Sequence, residues 1–134
     1  MLKVFLPFAV LSALAACSES PAPSADASPD TYFDMGIGGV PFRAQLAVSD
    51  AEKMRGLMFR ESLGENDAMI FVYAAPQRAS FWMKNTLIPL DIGFVDASGT
   101  LTEVKKLYPQ NLDSVKSSRS DIAYCIEANA GWFA

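Results

Sequence analysis

One stretch of the sequence, residues 80–92 (SFWMKNTLIPLDI), combines side chains that could form a ligand-binding site. An indole ring offers a flat apolar surface, an ammonium group attracts anions, and amide, hydroxyl or carboxylate groups fix the orientation of a ligand. The residues that could supply these groups are Trp82, Lys84, Asn85, Thr86 and Asp91. Two upstream arginines, Arg55 and Arg60, could add positive charge. This composition predicts a pocket for a sugar or an anionic polymer of the cell envelope.

The same residues also have a purely structural interpretation. Asn and Thr commonly satisfy the backbone of a turn, and Asp91 could form an ion pair with Lys84 or an arginine. In that interpretation Trp82 belongs to the core, and the domain is a structural or interaction module. The residue types alone leave both interpretations open.

A hydrolase or lyase is a third possibility. Asp91 would act as a general base, and Lys84 would stabilise developing charge. A second carboxylate would come from Glu61, Glu65 or Asp67. Because these acids lie in an ordinary polar segment, where solvated carboxylates are common, the enzymatic interpretation ranks below the binding site.

The absence of histidine limits the chemistry of this chain. It removes Ser-His-Asp and Cys-His catalysis, and it removes the commonest ligand for zinc. Thioethers suit cuprous copper, and methionine is also ordinary core filler. The candidate thioether ligands are Met54, Met58, Met69 and Met83. We predict neither a metal nor a cofactor, and a methionine-based copper site remains an alternative.

The first residues resemble an export signal with an acylation site. Lys3 precedes an uncharged run, residues 4–16, which has the length of a signal-peptide core and is shorter than a membrane span of about 20 residues. The string LAAC resembles a bacterial lipobox, in which the cysteine, here Cys17, is acylated and becomes the first mature residue. Ser18 after it, rather than aspartate, resembles the Gram-negative sorting pattern for the outer membrane, which implies its periplasmic face; a soluble periplasmic protein is the alternative.

The composition divides the chain into three parts. These are a signal peptide over residues 1–16, a Pro/Ser/Ala spacer over residues 17–31, and a single domain over residues 32–134. Without Lys3, ten Lys and Arg residues oppose fifteen Asp and Glu residues, so the net charge after cleavage is −5. This acidic balance argues against nucleic acid as a partner. The expected partners are the membrane, through the lipid anchor, and an envelope glycan or a partner protein.

The second cysteine, Cys125, has no partner for a disulfide if Cys17 carries lipid. It lies in the apolar string IAYCI, residues 122–126. Burial in a strand is therefore the prediction, and a reactive thiol is not.

Several short segments are apolar or alternating and are bounded by turn residues, which predicts strands. They cover residues 32–35, 40–48, 68–73, 79–83, 90–96, 101–107 and 122–127. Glycine-rich residues 36–39 join the first two strands as a hairpin, and residues 108–121 form a long polar loop. Ser49 and Glu52 have capping-box spacing, which predicts a helix that ends at Gly56.

The predicted fold class is mostly β, a small antiparallel β-sandwich or barrel-like domain with one short helix over residues 50–55. In the strand over residues 79–83, alternation places Phe81 and Met83 on one face, and Ser80 and Trp82 on the other. Lys84, Asn85 and Thr86 then follow at the end of that strand.

Three strings carry a resemblance to a known family: MRGLMFR at residues 54–60, AMIFVY at residues 68–73, and SFWMKNTLIPLDI at residues 80–92. Together they resemble the bacterial and archaeal family called domain of unknown function 192, over about residues 42–131. The resemblance implies a small, mostly β sandwich and assigns no biochemical function.

Two positions depart from the family pattern. Ala68 stands where members usually have glycine before the methionine, which implies a slightly different turn. Relatives also continue beyond the region of Trp132 through a further turn or helix and a closing strand, whereas this sequence ends at Ala134. We therefore expect an open strand and exposed core near the C-terminus, which a partner covers or which leaves this version of the domain compromised.

Overall fold

A computed structural model describes residues 4–5 and 31–134. Most of the predicted signal peptide, the acylation site Cys17 and the spacer up to residue 30 lie outside the described residues. The strands are β1 (Val4–Phe5), β2 (Phe33–Ile37), β3 (Val40–Ala47), β4 (Asp67–Gln77), β5 (Ser80–Phe81), β6 (Leu90–Asp96), β7 (Leu101–Leu107), β8 (Val115–Lys116) and β9 (Ile122–Asn129). The helix α1 spans Asp50–Arg55. The prediction of a mostly β domain with one short helix is confirmed for the described part of the chain.

The strands form one open sheet and one small sheet. The large sheet has the order β1-β2-β3-β4-β9-β6-β7, and β5 pairs with β8 in the small one. All neighbours are antiparallel except β3 and β4, which are parallel. The antiparallel prediction is therefore wrong for this one pair. The physical reason is the connection over residues 48–66, which contains α1 and is long enough for the crossover that parallel strands need.

The hairpin and the helix lie where their local signals predict them. Gly38 and Gly39 both have positive φ angles, 55° and 80°, which suits a two-residue turn between β2 and β3. At the start of α1 the Ser49 hydroxyl accepts the backbone N–H of Glu52 at 3.1 Å, and the Glu52 carboxylate accepts the backbone N–H of Val48 at 2.9 Å. The helix ends at Gly56, whose φ is 47° and whose N–H donates to the Glu52 carbonyl.

Two strands near the predicted site differ from their predicted lengths. β4 continues to Gln77, and β5 ends at Phe81 rather than at residue 83. β5 is short because the Met83 N–H donates to the Asn111 carbonyl at 2.8 Å, which takes the chain out of the small sheet. The predicted alternation holds, since Met83 is buried and Trp82 is exposed.

Alternating residues of the central strands form a hydrophobic cluster on each face of the large sheet. On β4, Met69 and Phe71 belong to the first cluster, and Ala68 and Ile70 belong to the second. Leu57 from the segment after α1 packs into the first cluster. These clusters fix the sheet rigidly enough to position side chains at its surface.

The C-terminal region is better covered than expected. β9 lies between β4 and β6, so the strand that contains Glu127 is not an open edge. Trp132 packs edge-on against Phe42 with ring centroids 5.3 Å apart, and Phe133 also packs against the second cluster. Among the described residues, no helix has the length and apolar character to cross a membrane.

Candidate functional site

A cleft of about 900 Å³ lies on the face of the first cluster. Its walls come from α1 with the segment after it, from the distal half of β4, and from β5 with the loop that follows it. The polar and aromatic side chains in its walls include Asp50, Lys53, Arg55, Tyr73, Arg78, Trp82 and Glu127. The volume falls within the range of pockets that hold small ligands, about 300–1,000 Å³.

Three cations line this cleft. The Lys53 ammonium donates to the Val72 carbonyl at 3.1 Å and lies 5.2 Å from the centre of the Tyr73 ring. Arg78 donates to the Ser118 carbonyl at 3.2 Å. Arg55 is exposed at the last turn of α1 and forms no ion pair with any residue that the structure describes. Asp50 also lines the cleft, 3.9 Å from the Lys53 ammonium. The cleft wall thus carries three cationic side chains with the acids Asp50 and Glu127, and Arg55 has unused donors.

Trp82 provides the aromatic surface that its residue type suggested. It lines the cleft and is 42% exposed, so it does not belong to the core. The Lys84 ammonium lies 5.2 Å from the centre of the Trp82 ring, a distance typical of a cation–π contact. Lys84 itself is exposed and lies beside the cleft rather than in its wall.

Thr86 and Asn85 mainly stabilise the loop. Thr86 lines the cleft and is buried, and its hydroxyl donates to the Lys84 carbonyl at 3.1 Å. Asn85 has a φ of 54°, and its carbonyl accepts the backbone N–H of Phe59 at 2.8 Å. These contacts agree with the turn role that the structural interpretation gives them.

Arg60 and Asp91 lie outside the walls of the cleft. The buried carboxylate of Asp91 accepts the backbone N–H of Gly131 at 2.8 Å and lies 3.8 Å from the Lys106 ammonium. Lys84 is not among its partners. The structure thus does not bring Asp91 and Lys84 together in one cleft, as the hydrolase or lyase interpretation requires.

The other candidate acids are also placed elsewhere. Glu61 and Glu65 are exposed in the segment before β4. Asp67 forms a two-bond ion pair with Arg43, with both N···O distances 2.9 Å. A bidentate pair of this kind leaves the carboxylate little capacity for catalysis.

Metal ligands do not converge in the described part of the chain, where no group of three acidic or cysteine side chains could hold an ion. Of the candidate methionines, Met69 and Met83 are buried in the first cluster, and Met54 and Met58 line the cleft. The four thioethers are thus divided between core and surface.

Glu127 is the residue that sequence reasoning missed. Its side chain is only 5% exposed, it lines the cleft, and burial raises its pKa to about 8. Beside it lie the Tyr73 hydroxyl and the Cys125 thiol, and burial raises the pKa of both groups. The sequence did contain a signal that Glu127 faces inward, since strict alternation along the strand places it on the same face as the buried Cys125.

A second cavity of about 470 Å³ lies on the opposite face of the sheet. Its lining is largely apolar and includes Val4 of β1, Met35, Ile70 and Ile126. Specific ligand sites need a few placed polar groups. The cleft with the cations is therefore the candidate functional site.

By its fold and this cleft, the protein is a small, mostly β domain that has a ligand-sized, cation-lined cleft beside a mixed sheet. Residues 34–134 match the model of the DUF192 family, described as Uncharacterized ACR. The chain belongs to this family, which confirms the resemblance carried by the three strings.

Two solved crystal structures are similar to this chain. One is a protein of unknown function from Novosphingobium aromaticivorans DSM 12444, with 37% identity, a TM-score of 0.65, and coverage of 68% of this chain and 65% of that one. The other is a proposed transcription regulator from Sinorhizobium meliloti 1021, with 29% identity, a TM-score of 0.67, and coverage of 73% and 74%. The match thus spans slightly less than two thirds of the Novosphingobium protein. No curated protein sequence matches this chain.

Proposed function

We propose that this protein is an exported lipoprotein whose domain binds an anionic glycan of the cell envelope in the cation-lined cleft. The observation that carries the proposal is the combination of Lys53, Arg55 and Arg78 with the exposed ring of Trp82 in one cleft. Cations attract the acidic groups of such a polymer, and an aromatic face packs against a sugar ring.

The tether follows from the N-terminal sequence. Acylation of Cys17 would place the domain at the periplasmic face of the outer membrane, with residues 18–31 as a spacer. Each buried methylene of the acyl chains contributes about 0.8 kcal/mol, so several chains hold the protein firmly. Incorporation of labelled palmitate that disappears in Cys17→Ser tests the tether.

The binding test uses the exported protein, purified in detergent, and the fluorescence of its tryptophans. Anionic glycan should change the emission and bind more tightly than a neutral glycan of equal length. Arg55→Gln should weaken anionic binding about 1.4- to fivefold, because an exposed charge pair contributes about 0.2–1 kcal/mol.

The matched control is Arg60→Gln, which removes an arginine of the same region that does not line the cleft. It should leave the affinity unchanged. Equal losses in both variants would show that binding depends on overall charge and not on this cleft. A neutral glycan that binds as tightly as the anionic one would contradict the proposal.

A protein partner is the second candidate, and a separate surface favours it. Large apolar side chains are exposed on three loops that are hydrogen-bonded to one another at Asn85 and Thr86. These side chains are Phe59, Leu87, Tyr108 and Leu112. A surface that exposes several large apolar side chains suits a protein contact. Charge substitutions on it that spare glycan binding would distinguish the two roles.

A further inference from the structure

The carboxyl group of Glu127 lies at the wall of the cleft and has no hydrogen-bond partner among the described residues. Glu127 lies on β9 opposite Met69 of β4 and Ile92 of β6, with its side chain 5% exposed at the wall of the cleft. No described residue forms a hydrogen bond or an ion pair with its carboxyl group. Its oxygens are not among the fully enclosed polar atoms that lack a partner, so the carboxyl group reaches the cleft, where water or a bound ligand can form its hydrogen bonds.

The surroundings of Glu127 are mostly uncharged. β4 contributes the Tyr73 hydroxyl and Glu127's own strand contributes the Cys125 thiol, while β6 contributes apolar Ile92. From α1 the Lys53 ammonium is directed to the Val72 carbonyl and the Tyr73 ring. The remaining charged groups that line the cleft are Asp50, Arg55 and Arg78.

These surroundings determine the proton state of the carboxyl group. Burial raises the pKa of Glu127 to about 8, so the group is mainly protonated at neutral pH. A protonated carboxyl group has one O–H donor and one carbonyl acceptor, as a primary amide has donors and an acceptor. It therefore matches an uncharged carbonyl or amide better than it matches a cation.

We propose that the Glu127 carboxyl group donates a hydrogen bond to an amide carbonyl of the bound ligand, and that the ligand is an acetamido sugar that also carries a carboxylate. This inference rests on the proposed function and names the kind of glycan that the cleft selects.

Each part of such a sugar has a matching part of the cleft. The carbonyl of the acetamido group accepts the hydrogen bond from Glu127. The methyl group of the same acetamido group packs against the apolar wall of Leu57, Phe71 and Phe81. The sugar ring packs on Trp82. The carboxylate of the sugar lies near the three cations of the cleft, because opposite charges attract.

The proposal fixes the sign of the pH dependence. Hydrogen-bond donation needs the protonated carboxyl group, so the affinity should be constant at pH 6–7 and fall as pH rises through about 8. A ligand that presented an ammonium group would instead bind the ionised carboxylate and gain affinity over the same interval.

The test is a tryptophan-fluorescence titration of the exported protein in detergent at pH 6, 7 and 9. The probes are N-acetylmuramic acid, which carries both groups, N-acetylglucosamine, which lacks the carboxylate, and glucuronic acid, which lacks the acetamido group. N-acetylmuramic acid should bind most tightly, and its affinity should fall about tenfold, on the order of one good hydrogen bond to a buried group, between pH 6 and pH 9.

Glu127→Gln supplies the matched variant, because the carboxamide keeps the shape and a donor but does not titrate. It should bind N-acetylmuramic acid at pH 6 within about threefold of the unmodified protein and lose the fall at pH 9. The pH profile of the unmodified protein needs no variant, so it tests the proposal even if Glu127→Gln folds poorly.

The outcomes separate the two proposals. Glucuronic acid binding as tightly as N-acetylmuramic acid, without a pH effect, would overturn the role of Glu127 and leave anion binding by the cations intact. Affinity that rises with pH would also overturn it, in favour of a cationic group on the ligand. No binding of anionic sugar at any pH would overturn both.

Discussion

At the scale of single residues, Asp91 shows how a buried carboxylate can serve the fold alone. Its side chain on β6 accepts the backbone N–H of Gly131 and lies near the Lys106 ammonium. Its exposed fraction is 5%, equal to that of Glu127, but it does not line the cleft. Since its partners are the C-terminal turn and a neighbouring strand, its contribution is to stability.

Asp91→Ala should lower the free energy of unfolding by about 1.5–3 kcal/mol, because it removes the hydrogen bond from the Gly131 N–H to a charged carboxylate. Asp91→Asn should lower the free energy of unfolding by less, since the amide oxygen still accepts the hydrogen bond from the Gly131 N–H. Urea denaturation measures both values, and glycan affinity of the folded variants should match that of the unmodified protein. A loss of affinity without a loss of stability would instead assign Asp91 to the binding site.

At the scale of elements, α1 positions two of the three cations. It is only six residues long, so its stability depends on its ends rather than on its length. The reciprocal bonds of Ser49 and Glu52 satisfy the N-terminal donors, and Gly56 with its positive φ ends the helix. A helix fixed in this way holds Lys53 against β4, where its ammonium donates to the Val72 carbonyl, and places Arg55 in the wall of the cleft.

Ser49→Ala should lower the free energy of unfolding by about 1 kcal/mol through loss of the N-cap. It should also weaken anionic-glycan binding, because the fraying of α1 disperses Lys53 and Arg55. Ser120→Ala, at an exposed serine before β9, is the control and should change neither value. Unaltered glycan affinity in a destabilised Ser49→Ala variant would show that α1 does not organise the cleft.

At the scale of the whole molecule, local signals predicted elements well and their assembly poorly. The capping box predicted α1 with its true ends, and alternation predicted β6 and β7 with theirs. The same signals cannot show that β9 inserts between β4 and β6, because strand pairing depends on distant segments. Without that order, nothing in the sequence brings Glu127 near Tyr73 or Arg55.

For the candidate site, the sequence predicted some of the residues but not their arrangement around a cleft. Trp82 and Arg55 were identified from their residue types, and both line the cleft. Alternation indicates that a side chain faces inward but not whether a cleft opens there. That is why Asp91 attracted attention and Glu127 did not.

The most direct test of glycan binding in this cleft is the nitrogen-15 NMR spectrum of the two tryptophan indoles during titration with anionic glycan. Trp82 lines the cleft, whereas the Trp132 indole N–H lies 3.3 Å from the Asn66 side chain, away from the cleft wall. A progressive shift of the Trp82 indole signal with an unchanged Trp132 signal is the predicted result. A shift of Trp132 alone, or no shift of Trp82 at saturating glycan, would contradict the account.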